Sequence, residues 1–459
     1  MIRIKNARIL ELDPPRYTEP CTIEIEGSRI SAVRVDESAG GPGSERARAA
    51  PGATELEATE LDAGGAIVMP GPVCGHHHVY SGLARALTAT LGPMPDFVSV
   101  LKQLWWRLDR ALTKEILEAT AAVTALEAIQ SGTTAVIDHH ASPSYIEGSL
   151  SRLAEAFRAV GLRGVLCYET TDRHGVADMH AGVAENLRFA NELSAEASGE
   201  RGRNAEPLLA AAVGAHAPFT LSDESLAALA EAVAQTAGGL HIHVAEDRFD
   251  PSHGRLEYGS ELIERLSDFG LLTEKAILVH GVHLSRDDID RINDADATLA
   301  HNCRSNMNNA VGYNHNLPRY RRVMIGTDGI GSNMFEELRF AFFKHRDAGG
   351  PLGPGDFARF LAAGNTVLER YFNRPFGRIE PGYTADLVIS DYRAPTPLGT
   401  ENAAGHLIYG MHAGDVRTVI VNGRVVMREK SVDADLESIY RRAREAAAEL
   451  WKRIDRLQP

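Results

Sequence analysis

Residues 1–36 alternate apolar and polar positions. The stretches "IRIKNARIL" and "CTIEIEGSRISAVRV" have the period of two that sends successive side chains to opposite faces, so they predict strands, with Gly27 at a hairpin. Residues 37–60, "ESAGGPGSERARAAPGATELEATE", lose that alternation and are rich in Ala, Gly, Glu and Ser, which predicts a mobile surface loop without chemistry. From Ala66 short apolar runs alternate with longer amphipathic stretches. The predicted strands are "AIVMPGPVCGH", "TTAVIDHH", "RGVLCYET", "LLAAAVGAH", "GGLHIHVAE", "AILVHGV", "ATLAHNC" and "VMIGTDG". Helical stretches such as "KEILEATAAVTALEAIQSG" and "DESLAALAEAVAQTAGG" lie between them. Eight such units predict a parallel (β/α)8 barrel; a doubly wound open sheet has the same alternation and is the rival. After Pro381 short strands return as "ADLVISDY" and "VRTVIVNGRVVMREK", the second a hairpin at Asn422-Gly423. A charged helix, "LESIYRRAREAAAELWKRIDRL", follows.

The expected organisation is an α/β chain with a distorted (β/α)8 barrel over 66–380. A small β-sandwich is built from both chain ends, 1–65 and 381–430, and a helix occupies 431–459. A chain of 459 residues has the length for this. Lys plus Arg number 48 and Asp plus Glu 62, a net charge of -14, which argues against a nucleic-acid or anionic-membrane partner. Four scattered cysteines without a CxxC pair speak against a disulfide framework and for a reducing cytoplasm. The opening "MIRIKNARILELD" reads as a strand, not a signal peptide, and no apolar run is long enough to span a membrane.

Polar residues gather at the strand ends. In order they are His76 and His78, His139 or His140, Glu169, His216, His243 with Glu246, His280, and Asp328, while "HNCRSN" carries His301, Asn302 and Arg304. In such barrels chemistry sits at the C-terminal face of the strands. Within "CGHHHVY", alternation turns His76 and His78 one way and His77 the other. Two imidazoles from one strand, a third from His243 and a carboxylate from Asp328 could hold one ion, and nitrogen and oxygen donors suit Zn²⁺, Fe²⁺ or Mn²⁺. His241 shares the face of His243 but lies deeper, in the core or behind the ligands. His174, His180, His253, His345, His406 and His412 read as solvated or structural. Three neutral imidazoles and one carboxylate leave a metal centre near +1, enough to bring the pKa of bound water towards neutrality.

Several pocket residues have two readings. Arg304 could pair with a carboxylate or an oxo-rich ring, or form a structural salt bridge. Glu169 could accept from ring N–H groups or serve the fold. His139 and His140 face opposite ways, so at most one lines a pocket; we assign His140 to it. Trp105 and Trp106 could form an apolar lid or pack a helix, and Trp106 is assigned to the substrate.

These motifs resemble the amidohydrolase superfamily. "PGPVCGHHH" matches its first-strand PGxVxxHxH, "HVAE" its HxxE, "LVHGVHL" its sixth-strand histidine and "GTDGIGSN" its last-strand aspartate. "HNCRSNMNN" is similar to the HxPxSN segment, with Cys303 where proline is usual. "MFEELRFAFF" resembles the branch of atrazine chlorohydrolase, guanine deaminase and adenosylhomocysteine deaminase. "LWWRLDRAL", "VIDHHASPSYIEGSL", "YETTDR", "RSNMNNAVGYNH" and "FFKHRDAGGPLGP" resemble SsnA-type aminohydrolases within it. The resemblance implies that His76, His78, His243 and Asp328 hold one divalent ion, zinc by first choice. Glu246 shuttles protons, Asp328 and His280 orient the attacking water, and His216 contacts substrate. The fourth strand lacks the lysine of two-metal members, which implies one metal. The resemblance also implies a dimer or tetramer.

The expected activity is metal-dependent deamination of a purine-like or pterin-like heterocycle, in which metal-bound hydroxide attacks an sp² carbon and ammonia leaves. The alternative is ring opening of a cyclic amide or ureide from purine breakdown. A non-catalytic scaffold is a third reading, against which the intact set of His, Glu, His and Asp speaks.

Overall fold

The computed structural model describes residues 1–35, 59–198 and 206–458. The loop expected at 37–60 lies outside the described residues except for its last two positions. These open a strand, Thr59–Asp62, that pairs in parallel with Ile2–Leu12.

The strand Ile2–Leu12 serves two layers. Its first half pairs antiparallel with Cys21–Glu26, and Arg8 and Ile9 further along pair in parallel with Ile67–Pro70. The strand Ile67–Pro70 in turn pairs with Leu387–Ser390, and beyond it lie Val416–Val421 and Arg424–Met427. Both chain ends thus meet in one β unit. Ile4, Ile9, Ile23, Ile25, Leu387 and Ile420 fill its interior. Both predicted hairpins form. Gly27 turns at φ 59°, and Asn422 and Gly423 at 53° and 69°, the paired left-handed residues of a tight two-residue turn.

The segment "AIVMPGPVCGH" is two strands, not one. Ile67–Pro70 belongs to the chain-end layer, and Val73–His77 opens the barrel. Pro70 and Pro72 lack the N–H that an unbroken ladder needs. The other barrel strands are Ala135–His140, Arg163–Tyr168, Leu209–Ala211 continued as Val213–Ala215, Leu240–Val244, Ile277–His280, Thr298–His301 and Val323–Ile325. All neighbouring pairs are parallel. The expected fourth strand is interrupted at Ala212: its first part pairs with the third strand, its second with the fifth. Hydrogen bonds join the two arcs at both seams. Thr170 N donates to Gly214 O at 3.1 Å, and Thr327 N donates to His76 O at 2.9 Å. The result is a ring, distorted where the fourth strand breaks.

Inside the ring, Val73, Ile137, Val165, Ile277, Val279 and Met324 pack against Val367, Leu368 and Phe376. This apolar plug fills the strand starts, and the polar groups gather towards the strand ends. Gly326, just past the eighth strand, permits a close approach: a Cβ there would lie 2.3 Å from Asn302 Oδ1 and 2.8 Å from His76 N. Among the described residues no helix is long and apolar enough to cross a membrane. All four cysteines are buried, and none is in a disulfide.

A buried ion pair ties the barrel to the chain-end layer. Arg163 donates to Asp386 Oδ2 at 2.5 Å and Oδ1 at 3.1 Å, with side chains 0% and 2% exposed. Its remaining donors reach Pro207 O and Asn422 Oδ1, and its guanidinium lies 4.9 Å from the Phe376 ring centre. Removing one partner strands a charge out of water, a cost of about 3–5 kcal/mol. The variant Asp386→Ala is therefore expected to lose that much stability, read as a lower urea midpoint at unchanged slope. An unchanged midpoint would show that the pair holds nothing.

Candidate metal centre and active site

Four donor atoms from three barrel strands converge. Nε2 of His76 and His78 lie 3.4 and 2.9 Å from Asp328 Oδ1, and His243 Nε2 lies 3.3 and 3.2 Å from the same two nitrogens. All four residues are buried. Alternation along the first strand is broken to achieve this. Val73 faces the barrel interior and Cys74 the outer core, so His76 would face outward too. A register shift between Cys74 and His77 brings His76 and His78 inward. His77 points away, as expected, and meets Asp328 O through Nδ1 at 2.6 Å.

The ring nitrogens settle what the donors can do. His78 Nδ1 donates to His139 O at 2.6 Å, and His243 Nδ1 to His216 O at 2.8 Å. When these rings are neutral, as ligation requires, each has one N–H, and both Nε2 atoms then present lone pairs to the same point. Burial holds His76 and His243 well below the ordinary histidine range. Lone pairs facing one another beside a carboxylate are reconciled by a cation. Donors around a tetrahedral ion with bonds of about 2.0–2.2 Å stand roughly 3.3–3.5 Å apart, close to the spacings here. The set fits a divalent ion.

Beside the donors stand Glu246 and His280. Glu246 Oε2 lies 3.4 Å from His280 Nε2, and Asn309 Nδ2 donates to Oε1 at 3.2 Å. Burial pushes the Glu246 carboxyl up to about 7, against the pull of His280. On the sixth strand Ile277 and Val279 face inward, so alternation would turn His280 outward. Its left-handed backbone, φ 70°, swings the ring back; Asp328 at 52° and Ala245 at 46° share that strain. With Nδ1 donating to Asn306 Oδ1 at 2.7 Å, a proton on His280 Nε2 would sit between the carboxylates of Glu246 and Asp328. Ser305 Oγ donates to Asp328 Oδ2. Ser305, Asn306 and Asn309 were not singled out from the sequence, although all three stand in the quoted "RSNMNN".

A cavity of about 720 Å³, counted to its open mouth, leads from these residues and is walled by Phe97, Trp105, Trp106, Phe219 and Phe249. Glu169, His216 and Trp106 line it. His216 Nδ1 meets Thr220 Oγ1 at 2.8 Å, and its Nε2 lies 3.9 Å from Glu169 Oε1. Two expectations fail. His140 is buried outside this lining, bonded through Nε2 to Ser142 Oγ, because the second strand turns Ile137 and His139 inward and His140 outward. Arg304 is committed elsewhere: it pairs with Glu336 and Glu337 and donates to Ile330 O and Gly331 O.

Asp109, also missed, lines the cavity, and Arg173, missed too, stands behind it. Arg173 donates to Glu169 Oε1 at 3.0 Å and Asp109 Oδ2 at 3.2 Å, and lies 4.7 Å from the Trp106 ring centre. Burial pushes the Asp109 carboxyl up to about 7. Asp109 Oδ1 and Trp106 Nε1 are buried without a partner. A π turn, Leu101–Trp105, interrupts the helical period between Phe97–Val100 and Trp106–Ala111, and the two tryptophans at and just past it share the cavity. The helix Leu436–Arg456 braces this wall. Arg107 donates to Ile454 O at 2.7 Å and Thr90 O at 3.0 Å, and Trp451 Nε1 donates to Leu83 O at 2.9 Å.

The amidohydrolase family profile matches residues 67–426. The chain belongs to the amidohydrolase family. As such it is a hydrolase of carbon–nitrogen bonds other than peptide bonds, and its cofactor is a divalent metal ion. This amidohydrolase is 29% identical over 466 residues to a 5'-deoxyadenosine deaminase of Methanosarcina mazei, covering 99% of both chains. It is 31% identical over 467 residues to a 5-methylthioadenosine/S-adenosylhomocysteine deaminase of Desulforudis audaxviator, covering 98% of this chain and 99% of the other. In fold it is similar to a zinc-bound adenosine deaminase from Xanthomonas campestris, with a TM-score of 0.80, 20% identity and 98% of each chain covered. It is also similar to the atrazine chlorohydrolase TrzN of Arthrobacter aurescens TC1 complexed with zinc, with a TM-score of 0.78, 22% identity and 97% and 100% covered.

Deleting one donor tests the centre. The amidohydrolase variant His243→Ala is expected to fall from about one bound metal per chain to a small fraction after dialysis, measured by elemental analysis. Full metal content in that variant would place the ion elsewhere.

Proposed function

We propose that this amidohydrolase deaminates an adenosine-type nucleoside, replacing the exocyclic amine of a 6-aminopurine ring by oxygen and releasing ammonia. The proposal takes zinc as the ion and His76, His78, His243 and Asp328 as its holders. Once held, the ion supplies Lewis acidity that brings the pKa of water near neutrality. The observation that carries the reading is Glu246. It stands at the inner end of an aromatic-walled cavity, beside the four donors, and burial keeps its proton affinity near neutral pH.

A carboxyl so placed can take a proton from the attacking water and deliver it to the purine nitrogen or the departing amine. Its hydrogen bond from Asn309 fixes one oxygen and leaves the other beside His280. His280, bearing a proton on Nε2, donates to the oxygen that gains negative charge as the ring carbon becomes tetrahedral. Asp328, held by Ser305, accepts the second hydrogen bond of the attacking water and sets its direction. Phe219, Phe249 and the two tryptophans give a flat heterocycle apolar faces and exclude bulk water. Relatives of nearly full coverage that carry deaminase names support the same reaction, and they do not favour ring opening.

The test combines substrate and variant. Zinc-loaded protein given adenosine, 5'-deoxyadenosine or 5'-methylthioadenosine is expected to release one ammonia per ring while the purine ultraviolet band shifts and persists. Loss of that band without ammonia would establish ring opening instead. Glu246→Gln should retain its metal and lose about 10²–10⁴-fold in kcat. Full turnover in that variant would remove Glu246 from proton transfer.

A further inference from the structure

We infer that His241, with Cys167 behind it, is a positioning residue that holds His76 in the one tautomer able to bind a metal ion. The inference rests on the reading of His76 as a ligand. His78 and His243 have their Nδ1 protons fixed by backbone carbonyls, but His76 has none. Its Nδ1 lies 2.9 Å from His241 Nε2, a nitrogen that can donate or accept. The pair therefore has two proton arrangements. If His241 Nε2 carries the proton, it donates to His76 Nδ1. The proton of His76 is then on Nε2, aimed at Asp328 Oδ1 at 3.4 Å and His243 Nε2 at 3.3 Å, where it blocks ligation. If His241 Nε2 is bare, His76 Nδ1 donates to it and the His76 Nε2 lone pair is free.

The surroundings of His241 favour the second arrangement. Both rings are fully buried, at 0% exposure, and the strand alternation of "LHIHV" puts His241 one layer below His243. With Nε2 bare, the His241 proton must sit on Nδ1, which needs an acceptor. Cys167 Sγ lies 3.6 Å from that nitrogen, and Cys167 Sγ itself lies 3.4 Å from Asp138 O. The chain then runs one way: His76 Nδ1–H to His241 Nε2, His241 Nδ1–H to Cys167 Sγ, and Cys167 S–H to the carbonyl of Asp138. Every proton has one place, and the last acceptor is a carbonyl that cannot donate. The remaining neighbour, His139, has Nε2 directed at the backbone oxygens of Ala215 and His241, 3.1 and 3.0 Å away, so it does not compete for the His241 ring. Burial keeps the thiol protonated, as the chain requires.

Partners that orient metal ligands typically change metal affinity by about 10–100-fold when removed. The experiment titrates metal-free wild type, H241L, H241Q, C167A and C167S with Zn²⁺ against a chromophoric chelator, and records the visible spectrum of each Co²⁺-loaded form. Leucine keeps the bulk and removes the acceptor, so H241L is expected to bind zinc about 10–100-fold more weakly and to show altered Co²⁺ bands, while the metal-free protein unfolds as wild type does. The glutamine carboxamide oxygen can accept in place of Nε2, so H241Q is expected to recover most of the affinity. C167A should weaken binding in the same direction, and C167S, whose hydroxyl both accepts and donates, should restore it. This pair carries the test if H241L does not fold. Wild-type affinity in both H241L and C167A would overturn the inference, as would an H241Q as weak as H241L. Failure of the wild type to bind zinc or cobalt would instead overturn the metal reading on which it rests.

Discussion

The site depends on one electrostatic constraint: three imidazole lone pairs and a carboxylate must face a single point at the buried end of a cavity. Such an arrangement is unfavourable without a cation, and the protein supports it by fixing protons on the far side of the rings. Two Nδ1 protons are tied to the carbonyls of His139 and His216, which belong to neighbouring strands. The backbone of Asp328 takes a left-handed turn, and its outer oxygen is held by Ser305. The barrel supplies what this needs, since parallel strands bring residues far apart in sequence to one rim. Its apolar plug closes the opposite end of the ring.

Much of this could be read from the sequence because strand ends are marked by chemistry. The order of His76, His78, His243, Glu246, His280 and Asp328 along eight apolar runs predicts both the barrel and the rim, and the structure brings these side chains together. The failures have local causes. Period-two reasoning assigns a face to each residue, but it assumes an unbroken strand. The bulge near Gly75 and the left-handed His280 both reverse the face, so His76, His78 and His280 reach the rim by a route that strict alternation does not describe. His140 shows the reverse error: its strand is regular, and a choice between adjacent histidines needed the parity of Ile137. Arg304 was ambiguous because its partners, Glu336 and Glu337, lie some thirty positions on, in a helix whose approach no local rule gives. Asp109 and Arg173 are far apart in sequence and meet only through the fold.

The cavity divides its work between rigid and braced parts. The rim is set by the strands, whereas the aromatic wall stands on a short irregular helix with a π turn. Two consecutive tryptophans, at and just past that turn, line one cavity. The wall makes few connections to the ring itself. Its buried arginine, Arg107, instead binds three backbone oxygens, two within the wall segment and one at Ile454.

That last contact spans 347 positions. During synthesis the ribosome completes all eight strands well before it reaches Ile454, so the rim can assemble on the nascent chain while the tryptophan wall still lacks its anchor. Arg107 must wait, its guanidinium solvated, until that carbonyl has cleared the exit tunnel. The ability to enclose a small molecule would thus be acquired late, after the groups that do the chemistry are already in register.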